Sequence, residues 1–287
     1  MLVRTLENAL VTDTHITFIG GGHMAGSLIG GLLRTGFDAK HIRVADPDAK
    51  QLEHLRQRFQ VQTCADNLEA VRSAQVVVFA VKPQVFRDAA CPLSTALGEN
   101  QPLIISIAAG VPEKHIHRWL GYPAAIVRAM PNTPALIGAG AAALYANPKV
   151  SNAQRVLAEA MFKSVGLALW IDDESLMNAV TAVSGSGPAY FFLVMEIMEE
   201  VARELGLPAD AANKLVQQTA LGAARMALES RENVAILRKL VASPGGTTAA
   251  ALKILDSDKL RGIFLQALTA ARDRGVQLSD DFGKETS

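Results

Sequence analysis

The stretch HITFIGGGHMA, residues 15–25, decides the fold class of the first half of the chain. Residues 15–19 read as a short strand, and the glycines that follow open a helical pattern that stops near Gly36. The segment Gly20–Ala25 fits G-x-G-x-x-A, in which Gly20 permits the tight turn, Gly22 lets the backbone approach a pyrophosphate, and Ala25 keeps the helix close to the strand. The loop predicts a dinucleotide site, with a purely structural tight turn as the alternative.

Apolar runs that alternate with helical patterns follow this loop as far as residue 172. Strands are predicted at Ile42–Ala45, Val76–Val81, Leu103–Ile107, Ala125–Ala129 and Leu167–Ile171. The continuously apolar run VVVFAV is typical of a central parallel strand that is buried on both faces. We therefore predict an α/β Rossmann-type N-terminal domain with a parallel-rich sheet over residues 15–172. Residues 1–14 are predicted to be an N-terminal extension.

From residue 173 to residue 287 the patterns are helical only, which predicts an all-helical C-terminal domain. Pro188 lies in the first turn of one of these helices, with Ser186 as its expected N-cap. Several helical stretches, for example 189–194 and 260–271, are too apolar to face water, and intertwining with a second copy would bury them. At least a homodimer is therefore expected through this domain.

Composition narrows the partners and the compartment. Lys plus Arg and Asp plus Glu both total 28, so no basic excess is present to bind nucleic acid or an anionic membrane. Cys64 and Cys91 suit a reducing compartment, and no clustered Cys or His ligands indicate a metal. The most apolar stretch, Gly187–Met195, is too short to span a bilayer, and the N-terminus lacks the apolar core of a signal peptide. A cytoplasmic protein is expected.

Asp46 ends the second predicted strand, where an acidic residue usually accepts hydrogen bonds from the adenosine ribose and disfavours a 2′-phosphate. The alternative is that Asp46 only forms an Asp-Pro turn with Pro47. Arg43 and Lys50 lie close in sequence and can compensate the charge of a 2′-phosphate. NADH and NADPH therefore both stay open.

Five further segments carry a resemblance to a known family. They are Ala80-Val81-Lys82-Pro83, SIAAG at 106–110, MPNTP at 130–134, SGSGPAY at 184–190 and SPGGTT at 243–248. In this order, together with the glycine-rich loop, they closely resemble the pyrroline-5-carboxylate reductase family over nearly the whole chain, from about Ile16 to the final helix. Two features depart from the family pattern: His23 stands where the family commonly has Asn, and the fourteen leading residues are longer than its usual start.

The resemblance implies reduction of L-1-pyrroline-5-carboxylate, a small cyclic imine, to L-proline by hydride transfer from NADH or NADPH, the last step of proline biosynthesis. It also implies a dimer or higher homo-oligomer through the C-terminal domain. The implied cofactor-binding residues are Ile19, Gly20, Gly21, Gly22, His23, Met24, Ala25, Asp46, Asn67, Ala80, Val81, Lys82, Pro83, Ala108, Ala109 and Asn132, the last of these near the nicotinamide. The implied substrate-binding residues are Ser243, Gly245, Gly246, Thr247 and Thr248.

The SPGGTT loop leads into the apolar helical run Ala249–Leu255 and has the chemistry of a carboxylate nest. Its glycines leave backbone N–H groups open to an anion, and its threonine hydroxyls add donors at a helix N-terminus. The alternative is an ordinary helix start with Thr247 or Thr248 as the N-cap. We hypothesise that Thr248 is the catalytic residue that donates a hydrogen bond to the imine nitrogen, as a positioner or proton donor.

Other candidate residues favour less specific interpretations. Lys82, immediately before Pro83 at a strand end, is interpreted as a residue of the cofactor-side loop rather than as a catalytic acid. Tyr190, at a helix start, is expected at a subunit interface. Four histidines are expected to face solvent, namely His41, His54, His115 and His117.

Two rival functions belong to other classes. A β-hydroxyacid or 6-phosphogluconate-like dehydrogenase would present a catalytic lysine in the second domain, where Lys214 is the only loose candidate and no recognisable motif surrounds it. A non-catalytic dinucleotide sensor would need the glycine-rich loop but neither SGSGPAY nor SPGGTT. Because both segments are present, the reductase is favoured.

Overall fold

The computed structural model describes residues 13–256 and 258–284. The predicted extension, residues 1–14, falls outside this range except for Asp13 and Thr14. Contacts divide the chain into two compact units, one formed by the residues up to Ser186 together with those from Ala271 onward, and the other by Gly187–Ala270. The boundary predicted between residues 172 and 173 stays a prediction.

The first unit is built on one eight-stranded sheet in the order β3-β2-β1-β4-β5-β6-β7-β8. All neighbouring strands are parallel except β6 and β7, which are antiparallel. Its strands are β1 Ile16–Ile19, β2 Ile42–Ala45, β3 Gln62–Cys64, β4 Val76–Phe79, β5 Leu103–Ser106, β6 Ile126–Met130, β7 Gly140–Ala146 and β8 Gly166–Trp170. The predicted Rossmann-type architecture is confirmed.

Helices cover the sheet and bury both of its faces. They are α1 His23–Arg34, α2 Ala49–Phe59, α3 Asn67–Val71, α4 Phe86–Ala90, α5 Ser94–Asn100, α6 Glu113–Leu120, α7 Asn152–Lys163 and α8 Met177–Val180. Along β4, Val76 and Val78 belong to one apolar core, whereas Val77 and Phe79 belong to the other. Side chains alternate across a strand, so a strand between two cores must be apolar at every position. This is why the run VVVF has no polar residue.

Two strands were not expected from the sequence. β3 is only three residues long, lies at the edge of the sheet and has no fully buried residue, so it lacks an apolar signal. β7 reads GAAALYA, and its small residues carry neither β-branching nor alternation. Its pairing with β6 and β8 makes it a strand, so tertiary contacts override local propensity.

The second unit is helical, as predicted. It contains α9 Gly187–Glu204, α10 Ala209–Glu229, α11 Val234–Val241, α12 Thr247–Leu255 and the first part of α13 Asp258–Lys284. Among the described residues of this unit, only Gly187, Ala212 and Val216 are buried. Large apolar side chains are exposed instead, as shown by Phe191 at 69% and Leu228 at 86%. An apolar surface of this extent marks an interaction site.

The helical run Glu174–Glu204 corrects two expectations. Within residues 13–256 and 258–284, it is the one helical run that is long and apolar enough to cross a membrane, judged by length and composition alone. Only 11% of its apolar stretch is buried. The apolar stretch Gly187–Met195 is therefore part of a longer helical segment.

A π-helical turn, Thr181–Gly185, precedes α9, and Ser186 has helical backbone angles and donates its N–H to the Thr181 carbonyl. Ser186 is therefore not an N-cap.

Of the four histidines expected to face solvent, only one is exposed. His54 is exposed and His117 half-buried. His115, by contrast, is buried and stacks on Trp119 with ring centroids 5.9 Å apart, and the His41 side chain is only 13% exposed. Burial of His115, reinforced by the nearby charges of Arg118 and Lys114, holds its pKa below the ordinary value of 6.5. The polar residues next to His115 in the sequence thus predict exposure, whereas its side chain is buried.

This lowered pKa predicts that the protein loses stability in mildly acidic solution. The fold favours neutral His115 and the unfolded chain binds the proton more readily, so the contribution of this residue is complete above pH 6.5. It is lost as pH falls through 6.5 toward the lower pKa of the folded state. Between about pH 7.5 and about pH 5.5, urea unfolding should show a larger stability loss for the wild type than for His115→Phe, which stacks but cannot titrate. Equal losses in both proteins would contradict this assignment.

Candidate functional site

The carboxyl ends of six parallel strands lie along one edge of the sheet in the first unit. β1 leads into Gly20, β2 into Asp46, β4 into Ala80, β5 into Ile107 and β6 into Pro131. β3 is followed by α3, which begins at Asn67 and extends the same edge. Ligands of open α/β sheets bind outside these strand ends. The topology thus brings the sequence-predicted cofactor residues of this unit to one edge.

The first two glycines of the loop lie in closely packed surroundings. Gly20 has φ +95°, and a Cβ there would lie 2.7 Å from the Ala80 carbonyl oxygen. A Cβ on Gly21 would lie 2.8 Å from a methyl carbon of Leu55. The clash at Gly20 is with backbone and excludes a larger residue, whereas Leu55 would have to shift to admit one at Gly21. The loop therefore packs directly against the segment that follows β4.

Gly22 differs because its surroundings are open. It is the N-cap residue of α1 with φ −65°, and a Cβ there would meet nothing within 4 Å. No side chain caps this helix start. Backbone N–H groups at a helix N-terminus, without a side chain in front of them, form an anion site. A Cβ on Gly22 would fill the space through which a pyrophosphate would approach, so the residues present fit a dinucleotide.

The remaining loop residues divide into exposed and buried positions. His23, the first residue of α1, is exposed, whereas Ala25 is fully buried and Met24 packs against the core. Ile19 is buried at the end of β1. Ala25 therefore allows the close contact between helix and strand that the pattern predicted.

Asp46 holds the glycine-rich loop from the neighbouring strand. Its carboxylate accepts hydrogen bonds from the Gly21 N–H at 2.7 Å and from the Asp48 N–H at 2.8 Å. The Gln51 side chain donates to the Gly21 carbonyl from the other side. The bond to Asp48 is the turn expected of an Asp-Pro segment, and the bond to Gly21 sets the carboxylate beside the loop. Nothing in the sequence marked Gln51, since it is one of several polar residues of α2.

The two cations that could compensate a 2′-phosphate differ in their surroundings. The Arg43 guanidinium donates to the Gln62 side chain at 2.8 Å and to the Glu69 carbonyl at 3.4 Å. Lys50, in the first turn of α2, is exposed. Arg43 thus already donates hydrogen bonds within the protein, whereas Lys50 is exposed to solvent.

Two loops follow β4 and β5 at the same edge. Lys82 is exposed and precedes the 3-10 turn Pro83–Val85, as expected of a loop residue. In the second loop, the Ile107 N–H donates to the Phe79 carbonyl at 3.2 Å, and the Ala108 N–H donates to the Ser106 hydroxyl at 3.3 Å. Ala108 is buried and Ala109 half-buried. The backbone of this loop is therefore fixed to the sheet.

Asn132 joins two of the motifs that carry the resemblance. Its side-chain oxygen accepts from the Ala141 N–H at 2.8 Å, and its amide nitrogen lies 3.2 Å from the Ser184 carbonyl and 3.4 Å from the Ser184 hydroxyl. Asn132 thus ties the turn between β6 and β7 to the SGSG segment. Its placement near a nicotinamide stays a prediction.

In the second unit, the SPGGTT loop is a tight turn at a helix start. The Gly246 N–H donates to the Ser243 carbonyl at 3.1 Å, and Gly245 has φ +74°. Gly246 is the N-cap of α12, and no side chain caps the helix. The alternative that Thr247 or Thr248 is the N-cap is therefore wrong. The hydroxyls of exposed Thr247 and half-buried Thr248 are not used for capping.

Comparison with known proteins identifies the family. The chain is 49% identical over 274 residues to a pyrroline-5-carboxylate reductase of Pseudomonas aeruginosa, covering 96% of this chain and all of that protein. This chain belongs to the pyrroline-5-carboxylate reductase family. A relative of the same name from Haemophilus influenzae is 40% identical and covers 93% of this chain and 98% of its own length.

Solved structures of family members show the same fold. A pyrroline-5-carboxylate reductase from Coxiella burnetii has a TM-score of 0.89 at 45% identity and covers 93% of this chain and 99% of its own. A Plasmodium falciparum pyrroline carboxylate reductase with NADP bound has a TM-score of 0.83 at 27% identity and covers 93% of this chain and 98% of its own. Residues 15–110 match a family model described as NADP oxidoreductase, coenzyme F420-dependent. The chain is an NAD(P)H-dependent oxidoreductase.

The C-terminal region matches a second family model. Residues 174–278 match the model described as pyrroline-5-carboxylate reductase dimerisation. This range contains the exposed apolar side chains of the second unit, including Phe191 and Leu228. Homo-oligomerisation through the C-terminal region accounts for that surface, because a second copy would remove it from water.

Proposed function

We propose that this chain reduces L-1-pyrroline-5-carboxylate to L-proline with NADH or NADPH, the final step of proline biosynthesis, in the cytoplasm. The observation that carries the proposal is the end-to-end match to a reductase of that name, 49% identical over 96% of the chain. The open helix start at Gly22, which lies in the part of the chain that matches an NADP oxidoreductase model, supports it from the structure.

The cofactor would be held by the loops along the carboxyl edge of the sheet. The backbone of Gly20–Ala25 would receive the pyrophosphate, and Asp46 and Asn67 would face the adenosine. Residues Ala80–Pro83, Ala108 and Ala109 would line the rest of the dinucleotide, and Asn132 would lie near the nicotinamide. When bound, the reduced nicotinamide supplies the hydride; the protein contributes binding and orientation.

The implied substrate demands little acid–base machinery. A protonated C=N bond already accepts hydride readily, so the protein must place the imine carbon and exclude water, which is catalysis by positioning. The substrate carboxylate would lie on the Ser243–Thr248 loop, where the uncapped start of α12 offers backbone donors. Thr248 would hydrogen-bond to the imine nitrogen through its hydroxyl, which donates to the nitrogen of the neutral imine and accepts from the N–H of the protonated imine. Its freedom from a capping role supports this assignment.

The structure gives no support to the alternative of a β-hydroxyacid or 6-phosphogluconate-like dehydrogenase. Lys214, its only candidate lysine, forms an ion pair with Asp210 at 2.8 Å on α10, and both side chains are more than 70% exposed. An i,i+4 pair of this kind is a solvated feature of a helix surface. The reductase therefore remains the function that the residues favour.

A spectrophotometric assay tests the proposal. Purified protein is mixed with pyrroline-5-carboxylate, and the absorbance loss of NADH and NADPH is followed in separate reactions. Substrate-dependent oxidation of at least one nucleotide is expected, and the two rates give the cofactor preference. Absence of oxidation with both nucleotides, in protein that is folded, would overturn the proposal.

For the quaternary structure, we predict a homodimer formed through the second unit. Sedimentation at micromolar concentration should show at least a dimer, because the exposed apolar helix faces would be costly in water. Replacing Phe191, which is 69% exposed, with Asp should shift the population toward monomer, whereas replacing the polar, exposed Gln218 with Asp should not. A wild-type chain that sediments as a monomer would contradict the prediction.

A further inference from the structure

The end of α13, from Ala271 onward, belongs to the first unit and packs within it. We call the residues Gly275–Phe282 the docked segment. The Ser279 hydroxyl lies 2.9 Å from the Gly110 carbonyl oxygen and 3.0 Å from the Gly275 carbonyl oxygen of its own helix. Ser279 therefore provides a polar contact between this helix and a loop that lies 169 residues earlier in the chain.

Close packing accompanies this hydrogen bond. Gly275 is buried, and a Cβ there would lie 2.9 Å from the Asn178 side-chain oxygen. A Cβ on Gly110 would lie 3.4 Å from the Cβ of Leu278. Phe282, only 8% exposed, belongs to the same apolar core as Ala108 and Val111. The helix thus approaches the loop closely at Gly110, where a side chain would meet Leu278 and the Gly275 carbonyl.

The loop that receives the docked segment is the one that follows β5. Gly110 closes it in a left-handed conformation with φ +71°. On the sheet side the loop is fixed by the bonds of Ile107 to Phe79 and of Ala108 to Ser106. On the outer side, in the described structure, the Ser279 hydroxyl reaches its last carbonyl. Of the proposed cofactor residues, Ala108 makes one of these attachments and Ala109 lies between it and Gly110.

We propose that Ser279 is a positioning residue for nucleotide binding, through which the docked segment holds the Ile107–Gly110 loop in its cofactor-binding shape. The inference rests on the proposed function, in that it assumes that this loop binds the dinucleotide. Removing the hydroxyl frees the Gly110 carbonyl and lets the loop adopt other shapes, so the affinity for the nucleotide falls. By thermodynamic reciprocity, a bound nucleotide tightens the docked segment.

Nucleotide affinity of matched variants tests the proposal. Dissociation constants of NADPH and NADH are measured by nucleotide fluorescence for the wild type, Ser279→Ala, Ser279→Thr and Gln277→Ala. Gln277 is an exposed neighbour on the same helix, and threonine keeps the hydroxyl. Ser279→Ala should raise the dissociation constant about fivefold to tenfold, the effect of one lost hydrogen bond. Ser279→Thr and Gln277→Ala should stay within about twofold of the wild type.

Hydrogen exchange of the wild-type protein gives a second measurement that does not depend on how a variant folds. Saturating NADPH should slow amide exchange in residues 275–282 as well as in the Ile107–Gly110 loop. Unchanged exchange in residues 275–282, or wild-type affinity in folded Ser279→Ala, would overturn this inference and leave the proposed function intact. A wild-type protein that binds neither nucleotide would overturn the proposed function itself.

Discussion

Replacing Gly22 with valine should weaken NADH and NADPH binding by at least about 100-fold while the protein still folds. A Cβ at Gly22 meets no protein atom within 4 Å, and its φ of −65° suits any residue. The new side chain would therefore occupy the space in front of α1 and keep a pyrophosphate from its N–H groups. Loss of two charge-assisted hydrogen bonds accounts for an effect of this size. Titration of nucleotide fluorescence measures it.

Two neighbouring glycines supply the controls for this substitution. Gly26→Ala, in the second turn of α1, places its Cβ 3.8 Å from Leu55 and Phe59 at ordinary contact distance, so folding and binding should both survive. Gly20→Ala should instead lower the free energy of unfolding, because its Cβ would lie 2.7 Å from the Ala80 carbonyl. If Gly22→Val binds the nucleotides as the wild type does, the pyrophosphate does not lie on this loop.

Replacing Thr248 with alanine should lower kcat/KM for the imine about 100-fold and leave the nucleotide dissociation constants unchanged. The hydroxyl is not used as a helix cap, because Gly246 is the N-cap of α12. Its loss would therefore act on the substrate and not on the start of the helix. A positioned proton donor contributes an effect of this order when hydride adds to the neutral imine, because negative charge then develops at the nitrogen. Initial rates over a range of imine concentrations give the measurement.

The conservative variant and a structural readout separate chemistry from folding. Thr248→Ser keeps a hydroxyl at the same position and should recover most of kcat/KM, while the thermal midpoints of both variants should stay close to that of the wild type. Wild-type kcat/KM in Thr248→Ala would exclude a role for this hydroxyl in the reaction. Equal losses in the serine and alanine variants would assign the effect to the threonine methyl group instead.

Much of the first unit was predictable because its signals are local. Glycine spacing predicts the loop, and continuous apolar residues predict the strands at Ile42–Ala45 and Val76–Phe79. Parallel pairing then brings the ends of these strands to one edge, so the candidate cofactor residues follow from the chain order. The family resemblance, confirmed by the comparisons, supplied the substrate, which no single motif specifies.

The features that the sequence did not reveal depend on partners that are distant in the chain. Gln51 contacts Gly21 only because α2 packs beside the loop. The ion pair of Arg128, whose side chain is 6% exposed, with Glu174 joins β6 to the turn before α8. Neither Gln51 nor the pair Arg128 and Glu174 lies in a recognisable sequence pattern. Long-range contacts of this kind become visible only when the elements are placed.

Isotope transfer shows whether the hydride of the cofactor reaches the imine carbon. The enzyme is incubated with pyrroline-5-carboxylate and nicotinamide cofactor deuterated at both C4 positions, and the product is examined by mass spectrometry. We expect L-proline that is heavier by one mass unit, with deuterium on the ring carbon that was doubly bonded to nitrogen. Absence of proline, or proline without deuterium, would contradict hydride transfer from the cofactor to the imine.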